Sequence, residues 1–322
     1  MSGNADGAAR RYRMASVATP RNLILGATQN ATLDRWARRY GPRLGATRFV
    51  AGETIDDCVK VLRQLEHAGL LGYAIILGES VAERAEVAAT VQQHHLLVRR
   101  LAAERLPTTM SLKLTHLGLV IDENLAFESA REILSEAAEH NMFIRLDMES
   151  SQWVDATLRI YRRLREAGLA NTGVVLQAYL HRTLDDLHAL LDLEPNVRVV
   201  KGAYLESPDV AIASKGQVDR NYERLIDHSL AGARFTAVAT HDTRAIEHAL
   251  AKIASADGAL VDRYELQMLY GVRPQLQRTL ANEGHPVRVC VPYGKDWFVY
   301  YGRRLAERPA NVLFVLRSLL AR

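Results

Sequence analysis

From residue 73 onward the chain alternates between short apolar runs and longer stretches whose apolar residues recur every three or four positions. The short runs are Tyr73–Leu77, Met110–Leu114, Met142–Met148, Val174–Tyr179, Val197–Lys201, Phe235–Ala239, Tyr264–Leu269 and Val287–Val291. Runs of that length and composition predict strands, and the 3.6-residue pattern between them predicts helices. Leu125–His140, Gln152–Ala167 and Thr243–Ser255 are examples, and Gly168 and Gly258 stand where helix C-caps are expected. Eight consecutive β/α units predict a closed parallel barrel, an α/β fold of the (β/α)8 type. An open doubly wound sheet is the alternative, but its glycine-rich phosphate loop is missing. Residues 30 to 70 read as helical, with Ile55, Val59, Leu62 and Leu65 on one face, and Ala310–Leu320 as an extra C-terminal helix. The expected organisation is a mobile tail and lead-in over residues 1–30. A single barrel domain with an N-terminal helical addition follows over residues 31–322.

Composition narrows the picture without redirecting it. The 322 residues are 48% hydrophobic and 24% charged, which suffices for one barrel core. Two cysteines, Cys58 and Cys290, exclude a disulfide scaffold and a cysteine-rich metal site, and no metal is expected. They fit a reducing cytoplasm. No apolar run approaches the roughly 20 residues of a membrane span. The N-terminus lacks the apolar core of a secretory signal. The net charge is +4, with Arg10, Arg11 and Arg13 clustered near the start. That cluster reads as a soluble tail, with peripheral contact at the inner face of an anionic membrane as the other option. Nothing resembles a zinc finger, a Walker loop or a G-x-G-x-x-G fingerprint, and no nucleic-acid partner is expected.

In a barrel of this kind the chemistry gathers at the C-terminal ends of the strands. The residues expected there are Glu79, Lys113, Asp147, Gln177, Lys201, Thr240, His241, Leu269 and Cys290. Charged groups at so many strand ends would be costly in an apolar core but suit a polar ligand pocket. The segment Val287–Leu320 adds adjacent arginines, Arg303 and Arg304, with Glu307 following. Two guanidiniums side by side suit one small carboxylate, because each presents a planar fork of donors. Alone, the segment reads as a solvated helix face with an Arg–Glu pair.

Motifs at these positions carry a resemblance. LGES at 77–80, SLKLTHLGL at 111–119, RLDME at 145–149, VVLQAYL at 174–180, VRVVKGAYLE at 197–206, ATHD at 239–242, LQMLYGVR at 266–273 and the C-terminal segment occur in family order. Together they make the chain resemble the flavin-dependent proline dehydrogenase family, in its monofunctional bacterial form. The resemblance implies a distorted, TIM-like barrel that binds FAD without covalent attachment. It implies oxidation of L-proline to Δ1-pyrroline-5-carboxylate by hydride transfer from ring C5 to flavin N5, with electrons passed to a quinone. A pyrroline-5-carboxylate dehydrogenase is the implied partner.

The same resemblance implies roles for single residues. Arg303 and Arg304 would clamp the substrate carboxylate, with Lys113 as a third cation and Glu307 and Asp147 as counter-charges. Glu79 would pair with Arg303 and gate the site. Arg198 would sit near flavin N5. Val200, Lys201, Gly202 and Ala203 would follow the ribityl and phosphate region. Gln177 would bond the isoalloxazine edge, and Thr240 and His241 the pyrophosphate and adenosine side. Tyr204, Leu269 and Cys290 would line the substrate pocket. Without the resemblance, Lys113 reads as a snorkelling strand-end lysine and Asp147 as a helix N-cap.

The chain departs from the family pattern at three positions. Cys290 stands where Tyr is usual, which suggests space for 4-hydroxyproline or another cyclic imino acid. Ile75 stands where Asp is usual, and Asp242 where Asn is frequent, placing an acid near the expected cofactor phosphates. Two other functions remain at this point: a binding protein without turnover, and a flavin-free lyase or aldolase using Lys113 or Lys201 as a Schiff-base amine.

Overall fold

The structure is a computed structural model that describes residues 48–298 and 300–302. It divides into two compact units, Val50–Lys295 and residues 1–49 with 296–322. In the second unit the described residues include an aromatic group. The Tyr301 ring lies 6.2 Å from Phe49 and 6.0 Å from Trp297, centroid to centroid.

The first unit holds the barrel. Its strands are β1 (Leu71–Ile76), β2 (Thr108–Leu112), β3 (Ile144–Leu146), β4 (Thr172–Gln177), β5 (Asn196–Val200), β6 (Phe235–Ala239), β7 (Tyr264–Leu269) and β8 (Val287–Tyr293). Each pairs in parallel with the next, and β8 closes on β1. The helices are α1 (Ile55–His67), α2 (Arg84–Glu104), α3 (Glu123–Glu139), α4 (Val154–Glu166), α5 (Thr183–Leu190), α6 (Lys215–Gly232), α7 (Thr243–Ala254) and α8 (Pro274–Asn282). Local chemistry sets several helix starts. Thr54 and Asp57 form a reciprocal capping box on α1, and Asp122 accepts from the Leu125 N–H at 2.8 Å on α3.

All eight expected strands are present, with shifted edges. The run Met142–Met148 gives only a three-residue β3, and Lys113 and Asp147 lie just past the ends of their strands. Cys290 does not end its strand, as expected from sequence, but lies inside it, because β8 continues through Pro292 and Tyr293. Proline lacks an N–H, yet the Pro292 carbonyl still accepts from Ala51 at 2.9 Å and Tyr293 accepts from Leu77 at 2.8 Å. Gly168 follows α4 in a left-handed conformation, as expected. Gly258 does not cap a helix; α7 ends at Ala254, capped by Ser255, and Gly258 belongs to the following turn. Of the helical reading over residues 30–70, the described part is α1. The expected tail, the earlier N-terminal helical region and the helix Ala310–Leu320 lie outside the described residues.

The main apolar core fills the layer between strands and helices, with Tyr161, Tyr222, Leu97, Ile133 and Leu134 among its fully buried side chains. The barrel interior is different. Hydrogen bonds join β5 to β2, β3 and β7, strands that are not neighbours, so they must cross the inside of the barrel. Branched aliphatic layers usually fill that space. Here arginines, carboxylates and amides occupy much of it.

Candidate active site

Arg198, on β5, is the hub of this interior. Its Nε donates to Gln267 Oε1 at 2.6 Å, its Nη1 to Asp147 Oδ1 at 2.6 Å and its Nη2 to Ser111 Oγ at 2.9 Å. The Tyr73 ring covers its guanidinium at 4.5 Å. Burial works against the charge, but Tyr73 and Asp147 outweigh it and hold the Arg198 pKa above its ordinary value. Gln267 cannot flip: its carbonyl faces a guanidinium, and its amide donates to Glu265. Glu265 in turn accepts from Arg288 Nε at 2.8 Å. A polar chain therefore runs inside the barrel from Arg288 to Asp147 at its mouth.

Arg145, Arg198 and Arg288 are set among the carboxylates of Asp147, Glu265 and the buried Glu149. Arg145 makes no ion pair among the described residues; it donates to Asn196, and its Nε has no partner. Burial, and then repulsion from Arg198, push its pKa down to about 9.

A second group sits beside the hub. Lys113 Nζ bonds Glu79 Oε2 at 2.7 Å. Two residues on, Thr115 receives the buried Glu149: its N–H donates at 3.1 Å and its hydroxyl at 2.6 Å. Thr115 Oγ1 also accepts from the Ser80 N–H at 3.1 Å. The loops after β1, β2 and β3, which carry Glu79, Lys113 and Asp147, are thus tied together. Burial raises the Glu149 carboxyl against the opposing Thr115 bonds. Below them lies His116, whose ring fills the space a side chain at Gly78 would need: a Cβ there would sit 2.3 Å from Nε2. Burial, then repulsion from Lys113, push His116 down to about 4. Burial alone dominates in pushing its neighbour His94 down to about 4.

The third group lies at the ends of β5 and β6. Lys201 Nζ bonds Asp219 at 2.5 Å and Asp242 at 2.6 Å. Burial opposes its charge, and the two carboxylates hold its pKa above the ordinary value. Asp242 also caps α7 through the Arg244 N–H at 3.1 Å, so the acid that looked unfavourable beside phosphates has a base and a helix end. His241 Nε2 accepts from the Leu269 N–H at 2.9 Å, which fixes the ring as the neutral Nδ1–H form. Thr240 Oγ1 accepts from the Asp242 N–H at 3.1 Å. Gly202 is required locally: its φ is +112°, and a Cβ would lie 2.1 Å from the Tyr179 ring.

The structure therefore gathers Lys113, Glu79, Asp147, Arg198 and Leu269 around the β1–β3 and β7 side, and Lys201, Thr240 and His241 on the β5–β6 side. Gln177, at the end of β4, donates to the Glu149 carbonyl at 2.9 Å. Val200 ends β5 and accepts from Ala178 at 2.8 Å, while Tyr204 is half-buried and Ala203 exposed in the following loop. One expectation needs correction. Asp147 was expected, with Glu307, as counter-charge to Lys113 and the paired arginines; among the described residues Asp147 pairs with Arg198 and Lys113 with Glu79, and the part concerning the arginines lies outside the described residues. Arg303, Arg304 and Glu307 lie outside the described residues, and so does the expected Glu79–Arg303 gate.

Comparison with known proteins identifies the class. The proline dehydrogenase family model matches residues 58–317. Proline dehydrogenase 1 of Bacillus subtilis is 42% identical over 93% of this chain and 99% of its own length. The proline dehydrogenase of Deinococcus radiodurans is 41% identical over 93% and 97%. The chain belongs to the proline dehydrogenase family. It is an enzyme of that type, and it matches these relatives over nearly their whole length. The bifunctional protein PutA of Escherichia coli is 25% identical over 95% of this chain but 26% of its own length. The solved structure of proline utilization A from Bdellovibrio bacteriovorus superposes with a TM-score of 0.78 at 22% identity, over 88% of this chain and 36% of that one, and shows the same barrel fold.

Sequence reasoning missed Tyr73, Ser111, Gln267, Glu265, Arg288, Arg145, Thr115 and Glu149 as members of this family member's interior network. A signal existed for most of them. Polar residues interrupt apolar strand runs at Ser111, Arg145, Glu265, Gln267 and Arg288. A barrel strand is apolar on its helix-facing side, so such interruptions mark the inward face.

Proposed function

We propose that this chain oxidises L-proline to Δ1-pyrroline-5-carboxylate with a bound FAD and passes the electrons to a quinone. Ring C5 loses a hydride and the adjacent nitrogen a proton, leaving a C5=N double bond. FAD supplies the hydride acceptor at N5. The protein supplies placement, a dry pocket and fixed charge. Lys113 takes the substrate carboxylate and so fixes the ring; Arg303 and Arg304, expected from the resemblance to share it, lie outside the described residues. Glu79 holds Lys113 in place at 2.7 Å. Arg198 supplies a fixed cation where negative charge develops, and Asp147, Ser111 and Gln267 keep it aimed.

The observation that carries this reading is the three-point grip on Arg198 inside the barrel. The residues fit a flavin that must carry negative charge when reduced. Gln177 and Arg198 would hold the ring of the flavin, and Val200, Lys201, Gly202, Ala203, Thr240 and His241 would follow its phosphate side. Lys201 is shared between two carboxylates there and acts as a frame more than as a free cation. Among the described residues no helix is long and apolar enough to cross a membrane. Peripheral contact with a membrane carrying the quinone, and hand-over of product to a pyrroline-5-carboxylate dehydrogenase, complete the proposal.

The test is anaerobic titration of the FAD-loaded protein with L-proline, following the oxidised-flavin band. Bleaching with imine product supports the reading. A protein that FAD cannot reconstitute, or a yellow one that proline does not bleach, overturns it. Oxidation of 4-hydroxyproline, suggested by cysteine at position 290, depends on empty space beside that residue. Tyr73 stands directly across from it, and proline is the preferred substrate.

A further inference from the structure

Tyr73 was not among the residues expected to contact substrate. It lies in β1, in register with Cys290 of β8 and Thr109 of β2. Tyr73, Ile75 and Cys290 form a small apolar cluster of their own, separate from the main core, with the half-buried Leu269 against it. Tyr73 faces inward, because its ring covers the Arg198 guanidinium at 4.5 Å. The phenol is thus covered on its face by a cation and packed in one cluster with the Cys290 side chain. That cation is itself fixed by Gln267, Asp147 and Ser111.

Cross-strand partners on one face of a sheet lie only about 5 Å apart at Cβ, so they share one volume. The pair Tyr73–Cys290 fills that volume with one aromatic and one small side chain. An aromatic at 290 would compete with the Tyr73 ring. Beneath the mouth formed by Lys113, Asp147 and Leu269, Tyr73 is the large rigid surface.

We infer that Tyr73 is the specificity-determining residue of the site, the aromatic floor on which the five-membered ring rests, and that Cys290 is small to admit it. This rests on the proline reading above. The floor excludes substituents that point down from the ring and leaves the carboxylate grip unaltered. Its chemical preference is a flat, unsubstituted cyclic imino acid.

The test uses FAD-loaded wild type, Tyr73→Leu, Tyr73→Phe, Cys290→Tyr and the double variant Tyr73→Leu/Cys290→Tyr. The readouts are kcat/KM for L-proline and for trans-4-hydroxy-L-proline, flavin content and melting temperature. Tyr73→Leu is expected to move the proline-to-hydroxyproline ratio toward hydroxyproline by about tenfold or more, the scale on which pocket volume discriminates. Tyr73→Phe keeps the floor and moves the ratio less than about threefold by the same reasoning. Cys290→Tyr alone overpacks the cluster and lowers flavin content or melting temperature, and the double variant recovers them. A folded, yellow Tyr73→Leu with an unmoved ratio overturns the inference, and so does Cys290→Tyr acting additively with Tyr73→Leu. If Tyr73→Leu does not fold, the recovery in the double variant decides. A yellow wild type bleached by neither imino acid overturns the proline reading and this inference with it. A proline-active wild type with an unmoved ratio overturns this inference alone.

Discussion

Arg198 and Lys201 are three residues apart, yet the barrel treats them in opposite ways. Arg198 is buried, has one carboxylate partner, and spends its other donors on a neutral amide and a hydroxyl. Lys201 is half-buried and has two carboxylates. The first arrangement fixes direction and leaves charge to act on something else. The second cancels charge, with Lys215 as the second cation on Asp219 at 3.2 Å, and fixes a helix end, since Asp242 also caps α7. Under the proposed function, the difference puts electrostatic work on the reacting atoms at Arg198 and framing at Lys201.

The comparison is easiest to break at Arg198. Replacing it with Met should lower kcat/KM for proline by about 10²- to 10³-fold, as for loss of one preorganised charged donor. Arg198→Lys should recover little, because one ammonium cannot reproduce three fixed directions. Steady-state kinetics on flavin-loaded variants decide both.

Acid should act next most strongly. His94 and His116 sit at about 4 in the folded protein against about 6.5 when unfolded. Between those values the unfolded chain binds protons that the native state refuses. Stability therefore falls as pH drops from about 6.5 to about 4, by up to about 3 kcal/mol per histidine, and levels off below. Melting curves across that range check this, and His116→Leu should flatten the slope.

Lys113→Met should raise the KM for proline by about 10- to 100-fold, the scale of a charged hydrogen bond, and change kcat less. A similar effect on kcat would show that Lys113 acts on the reacting atoms. The smallest effect belongs to Asp242→Ala. Losing a helix cap and a partly exposed ion pair should cost about 1 kcal/mol of stability, with kcat/KM within about threefold. A large kinetic loss there would erase the contrast between Arg198 and Lys201.

Much of this was legible in sequence, for identifiable reasons. Short apolar runs and period-3.6 patterns mark the eight strands and their helices, and motif resemblance marks Lys113, Asp147 and Arg198. The position of Cys290 was misread because Pro-Tyr-Gly resembles a turn, whereas Pro292 and Tyr293 stay in register with β1 and the Tyr293 carbonyl accepts from the Leu77 N–H. The partner of Asp147 was not foreseen because its pairing with Arg198 spans the non-adjacent β3 and β5, and linear spacing does not encode that distance. Tyr73 was hidden for a different reason. A tyrosine in an apolar strand looks like core, and its function follows only from its register with Cys290 and its contact with Arg198.

The most direct test is the rate of anaerobic flavin bleaching by saturating L-proline, measured side by side for Arg198→Met and Asp242→Ala. The account predicts bleaching slowed by at least about 100-fold in Arg198→Met, in line with loss of a preorganised charge, and nearly wild-type in Asp242→Ala. Equal slowing in both, or a near-normal rate in Arg198→Met with flavin retained, would contradict it.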